Sequence, residues 1–99
     1  MTSQLRIYRI ASGEMDAFVE LWREHIVPAR QAYGFTVDGA WATLDRDEFA
    51  WVVSHDGPKE AFEDADRAYY ASPERAALPQ DPADFLKHVE LRLTEAVDR

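Results

Sequence analysis

His55 closes an alternating run, Phe49-Trp51-Val53-His55, so its imidazole follows two large rings along one face of a strand. An imidazole in aromatic surroundings can act as a general base near neutral pH. A histidine at a strand end can equally be satisfied by the turn that follows it, here at Asp56. His25 lies one turn before Pro28, where it can serve a ligand or bond a backbone carbonyl that the proline leaves free. Tyr8 and Tyr69 carry phenols able to hydrogen-bond a ligand carbonyl or phenol, or the backbone of a packed interior. Trp41 and Trp51 can stack an aromatic ligand or simply fill a core. Arg75 is the cation placed to meet a carboxylate ligand, and the competing use is an ion pair with Glu74 or Asp66.

Several chemistries find no support in the residues. The chain has no cysteine, which removes disulfides, thiolate nucleophiles and cysteine-ligated metals. His25, His55 and His88 form no HxH or HxxxH pair and come from three different segments, so no metal site is expected. His88 alternates with Glu90 and Arg92, on a sheet face seen by solvent or a partner. No glycine-rich phosphate loop, Ser–His–Asp spacing or glycosidase-like carboxylate pair occurs. The 19 acidic residues against 11 Lys plus Arg give a formal charge of −8, which argues against nucleic acid and against an anionic membrane surface. No apolar run approaches the ~20 residues of a membrane span, and no signal-peptide core follows Met1. The expectation is a single domain over residues 1–99, soluble and cytoplasmic.

The elements that must position these side chains follow from spacing. Leu5–Ile10 alternates as a strand, with Arg6, Tyr8 and Ile10 on one side. Ser12 is expected to cap a helix whose stripe is Met15, Phe18, Leu21, Trp22, His25, Ile26 and Ala29, kinked or ended by Pro28 and stopped at Gly34. Phe35–Thr43 and Phe49–His55 form two strands around Asp45-Arg46-Asp47. A three-residue loop there pairs Trp41 with Trp51, Gly39 with Val53 and Val37 with His55. All the large rings then fall on one face, with Ala40, Ala42, Ala50 and Val52 on the other.

A second helix is expected after Asp56-Gly57-Pro58, its inner stripe being Ala61, Phe62, Ala65, Ala68 and Tyr69. Ser72-Pro73 starts a short turn of helix, and Asp81–Asp84 a brief turn before a last strand through Val89, Leu91 and Leu93. The order strand, helix, strand, strand, helix, strand is the α+β, ferredoxin-like βαββαβ arrangement, a four-stranded antiparallel sheet with two helices on one face. The opposite face is apolar too, so a second copy is expected to cover it in a homodimer.

The stretches LRIYRIASGEMDAFVELWREHIVPAR, GFTVDGAW and EFAWVVSHDGPKEAFEDADRAYYASPER, from Leu5 to Arg75, resemble a NIPSNAP-type domain. That family lies in the dimeric α/β-barrel superfamily, with cofactor-free antibiotic-biosynthesis monooxygenases and haem-degrading enzymes. The resemblance implies a pocket between sheet and helices, with His55 in the position where relatives point a third-strand side chain, usually Trp, inward. Haem-degrading relatives add an Asn in the first strand and a His after the second helix. This chain has Arg6 and Tyr8 in that strand and no His near Ala76 or Leu78, so no haem, and no other cofactor, is expected.

In such a pocket Tyr8, His55 and Tyr69 would give polar, catalytic contacts, with Trp41 and Trp51 as walls. Tyr70, about a hundred degrees round the helix from Tyr69, would lie at the rim and Arg75 would cover it. The function implied is binding of an apolar or aromatic small molecule, with or without cofactor-free monooxygenase, cyclase or isomerase chemistry. The alternative is a non-catalytic interaction or regulatory module whose pocket is filled by its own side chains.

Overall fold

Strict alternation in Gln4, Arg6, Tyr8 and Ile10 makes these the buried side of strand β1 (Thr2–Ile10) in a computed structural model, which describes residues 1–97. β1 occupies an inner position of a four-stranded sheet ordered β2-β3-β1-β4, with β2 Thr36–Ala42, β3 Glu48–His55 and β4 Leu86–Thr94. Every neighbouring pair is antiparallel. Helices α1 (Met15–Leu21), α2 (Val27–Gln31) and α3 (Lys59–Tyr70) cover one face, which is the α+β ferredoxin-like fold expected from the element order. Phe18 sits at the middle of this layer, its ring 5.8, 5.1 and 5.8 Å from those of Tyr8, Phe49 and Phe85. Edge-to-face packing of this kind adds about 0.5–1.5 kcal/mol per pair beyond area burial.

The first helical segment is one run with a defect. Between α1 and α2, Trp22–Ile26 forms a π-helical turn in which the Val27 N–H reaches back five residues to the Trp22 carbonyl. Pro28 has no N–H, and its ring would collide with the carbonyl of Glu24 in a regular helix; widening the turn moves that carbonyl aside. The extra residue rotates everything beyond it. His25, expected on the buried stripe, is exposed, while Ile26 and Ala29 are buried as expected and Arg30 joins them. Ser12 is no cap either, since the helix begins at Glu14 without a side-chain cap bond.

The β2–β3 register also departs from expectation. Trp41 pairs with Ala50, Ala40 with Trp51 and Val37 with Val53, and the ladder slips between Val37 and Gly39. The connecting loop is four residues long, Leu44–Asp47, closed by the Thr43 N–H on the Glu48 carbonyl at 2.9 Å. Thr43 Oγ1 also donates to Asp47 at 2.8 Å, and Arg46 takes a left-handed backbone at φ 64°. A one-residue change of register exchanges faces. Trp41 consequently leaves the aromatic set and lies on the open face, 61% exposed, over Gly39 and beside Ala50, Val52, Leu5 and Ile7.

The connections after α3 match their reading. Ser72 caps α4 (Pro73–Ala76) by accepting the Arg75 N–H at 3.0 Å, and its hydroxyl donates to the Tyr69 carbonyl at 2.5 Å. Asp81 caps a 3₁₀ turn, Pro82–Phe85, that leads into β4.

Candidate functional site

A cavity of about 220 Å³ opens between the sheet and the helices. β1 contributes Arg6 and Tyr8 to it, and β3 contributes Trp51, because these three share the helix-facing side of the sheet. Ile26 reaches it from the buried stripe, and Arg30 from the turn that follows the π-helical segment. Tyr69 and Tyr70 arrive from the end of α3 and Arg75 from α4. The mouth lies along β4, where Val89 and Leu91 are 41% and 47% exposed. The Asp66–Pro79 corner thus forms one wall of a pocket. Tyr69 is buried and Tyr70 half exposed at the rim, as their angular separation on the helix requires.

Guanidinium groups dominate the polar lining. Arg6 is only 5% exposed, and it donates from Nε to Tyr8 Oη at 2.6 Å, from one terminal nitrogen to Gln4 Oε1 at 2.6 Å and from the other to Tyr70 Oη at 2.9 Å. All three acceptors are neutral. Burial by itself lowers the Arg6 pKa, but Tyr8 and Tyr70 outweigh it and leave that pKa above its ordinary value; their charge acts only at the high pH where phenols ionise, so at neutral pH Arg6 has hydrogen bonds and no counter-charge. Arg30, 1% exposed, donates to Asp66 Oδ1 at 2.7 Å and more distantly to Tyr70 Oη at 3.4 Å. Its charge lies 4.1 Å from the Tyr69 ring centre and 4.9 Å from that of Phe35. Trp51 is close to both cations, 5.6 Å from Arg6 and 6.0 Å from Arg30. Burial pushes the Tyr69 phenol above its ordinary pKa although Arg30 and Arg75 pull it down, so this hydroxyl is a proton donor at neutral pH.

Of the residues singled out from the sequence, Tyr8, Tyr69, Trp51 and Arg75 meet here. The other three do not. His55 is at the far end of β3, beside Gly34 and with its ring 5.3 Å from Phe35, and its Nδ1 is 2.8 Å from the Asp56 carbonyl. That is the turn-satisfied histidine, and the imidazole does not line the cavity. Gly34, at φ 86°, is what lets the ring approach, because a Cβ there would come within 3.1 Å of His55 Nε2. Trp41 is on the opposite sheet face, so it walls nothing here. His25 borders a separate shallow groove with Pro79 and Phe85. Arg75 meets neither Glu74 nor Asp66: Tyr33 donates to Glu74 at 2.7 Å, Asp66 is held by Arg30, and Arg75 lies a loose 3.6 Å from Asp81.

Arg6 and Arg30, the latter with its partner Asp66, are the members that sequence reasoning did not place in the site. For Arg6 the signal was available, since it shares strand parity with Tyr8. Arg30 and its partner Asp66 needed the π turn, which no spacing announces.

Fold and cavity define a ferredoxin-like domain with a small aromatic and arginine-lined pocket. The chain is NIPSNAP-like: the family model described as NIPSNAP matches residues 3–47, from β1 to the turn before β3, a shorter span than the resemblance read from the sequence. Among solved structures, a NIPSNAP domain protein of Burkholderia xenovorans is similar at TM-score 0.84 and 17% identity, covering 98% of this chain and 95% of that one. A NIPSNAP family protein of Agrobacterium tumefaciens aligns at TM-score 0.84 and 16% identity over 98% and 93%. A putative antibiotic biosynthesis monooxygenase of Nitrosomonas europaea aligns at TM-score 0.72 and 12% identity over 99% and 100%. At these identities the likeness is one of fold. No curated protein matches the chain. Among the described residues, no helix is long and apolar enough to cross a membrane.

Proposed function

We propose that this protein binds a small aromatic molecule in the Arg6–Tyr8–Trp51 cavity. The observation that carries this reading is the lining itself: the Trp51, Tyr69 and Tyr70 rings and the apolar Ile26, Leu86 and Leu91 offer a surface for a ring, and Arg6, Arg30 and Arg75 bring hydrogen-bond donors to the same small cavity. A cavity of about 150 Å³ accommodates benzene, so 220 Å³ takes one or two rings. Cofactor-free oxygenase, cyclase or isomerase chemistry requires proton transfer at the ligand. Tyr8 is the group placed for it, since Arg6 donates into its oxygen and leaves its own proton free.

An uncharged aromatic such as 2-naphthamide should therefore raise the melting temperature in a concentration-dependent way. Leu91→Trp, at the half-exposed mouth, should abolish the shift without unfolding the protein. No shift in the wild type would favour the second reading, a non-catalytic module, to which the displacement of His55 from the cavity already lends weight.

The same reading includes a homodimer through the open sheet face, supported by the exposed Trp41 over a floor of Leu5, Ile7, Ala50 and Val52. Trp41→Glu should yield a folded monomer in sedimentation equilibrium where the wild type sediments as a dimer. An unchanged dimer mass would place the contact elsewhere.

A further inference from the structure

A chain carrying a formal −8 directs three arginines, Arg6, Arg30 and Arg75, at one small cavity, and no carboxylate lines it. Two of them have an acid partner that does not line the cavity, and the third has none. Asp66 holds one terminal nitrogen of Arg30, and Asp81, with its side chain 60% exposed, stands 3.6 Å from Arg75. Arg6 meets neutral oxygens alone. Two of the cations also converge, since both Arg6 and Arg30 donate to Tyr70 Oη, at 2.9 and 3.4 Å. Like charges brought together in a low-dielectric interior repel unless an anion lies between them.

The donors point to the same conclusion. The hydroxyls of Tyr8 and Tyr70 accept from Arg6, which leaves their own protons with no acceptor among the described residues. A neutral carbonyl would satisfy some of these groups and none of the charge.

We infer that the ligand is an aromatic carboxylate, its acid group received by the Arg6–Arg30–Arg75 cluster with the Tyr8 hydroxyl, and its ring lying against Trp51 and the apolar side chains of Ile26, Leu86 and Leu91. This rests on the cavity reading above and adds the charge and the acid group. A planar carboxylate matches the guanidinium fork, and the apolar remainder of the lining suits a ring.

The test compares 2-naphthoate with 2-naphthamide, equal in shape and different in charge, by calorimetric titration of the wild type, Arg75→Gln and Tyr8→Phe. The naphthoate should bind at least roughly tenfold more tightly, with an advantage that shrinks as salt is raised. Each substitution should weaken naphthoate several-fold and naphthamide by a smaller factor, so that the preference for the acid narrows. The Arg75 side chain is already 23% exposed and Tyr8→Phe keeps the ring, so the fold is retained. Equal affinity of the two probes in the wild type would overturn the carboxylate and leave the cavity reading standing. Binding of neither would remove the cavity reading and this inference with it.

Discussion

Arg30→Ala should lower stability by about 3 kcal/mol, a fall in melting temperature of roughly 10–20 °C for a domain of this size. Arg30 is fully buried, yet its charge is met: Asp66 takes one terminal nitrogen at 2.7 Å, and Tyr69 and Phe35 present their rings to the guanidinium. Truncation removes the packed stem, the ring contacts, worth about 0.5–2 kcal/mol together, and the partner of Asp66. Asp66 keeps 27% of its side-chain exposure, so water relieves part of that last cost and the estimate stays at the lower end for a broken buried pair. Thermal melts followed by circular dichroism measure the loss, and a cycle with Asp66→Asn separates the ion pair from the packing. Arg30→Lys should recover only part of it, because an ammonium cannot present a planar fork to Asp66 while lying flat on Tyr69. A loss below about 1 kcal/mol would mean that the folded environment holds this guanidinium no better than water does.

The same residue marks the boundary of what periodicity can show. Element order, sheet class and the inward set of β1 follow from alternation and helical spacing, which report a continuous ladder or spiral. They fail where the backbone inserts a residue. Pro28 announces an irregular helix but not its form, and the π turn that absorbs it removes His25 from the buried stripe and installs Arg30. In the hairpin, pairing the large rings was a reasonable way to choose a register. Thr43, Asp47 and Arg46 instead build a four-residue loop, and Trp41 passes to the open face.

Chemistry was harder to read than fold for a related reason. A histidine among aromatic residues attracts attention as a base, whereas arginines in an amphipathic pattern read as solvated charge. The pocket inverts that order. His55 is tied into a turn, and the cavity is built from guanidinium and phenol groups whose convergence from β1, α2, α3 and α4 appears only when those elements are assembled.

Arg6→Met should separate binding from stability in the opposite sense to Arg30→Ala. Arg6 is nearly as buried, but its donors end on Tyr8, Gln4 and Tyr70, with no carboxylate among them. Withdrawing a guanidinium from water without a counter-charge costs several kcal/mol, only part of which neutral acceptors return. Methionine fills a similar volume with no such cost. The two phenols it leaves behind can turn towards the cavity, so their loss of a donor is limited to about 1 kcal/mol each. The melting temperature is therefore expected to stay level or rise by a few degrees, while affinity for 2-naphthoate falls roughly tenfold or more and that for 2-naphthamide falls less. A group that weakens the fold is kept where a ligand needs it, and an anionic ligand supplies the missing charge. If the variant instead melts as early as Arg30→Ala, Arg6 is a strut between β1 and α3. Its unpaired charge would then no longer argue for an acid in the pocket.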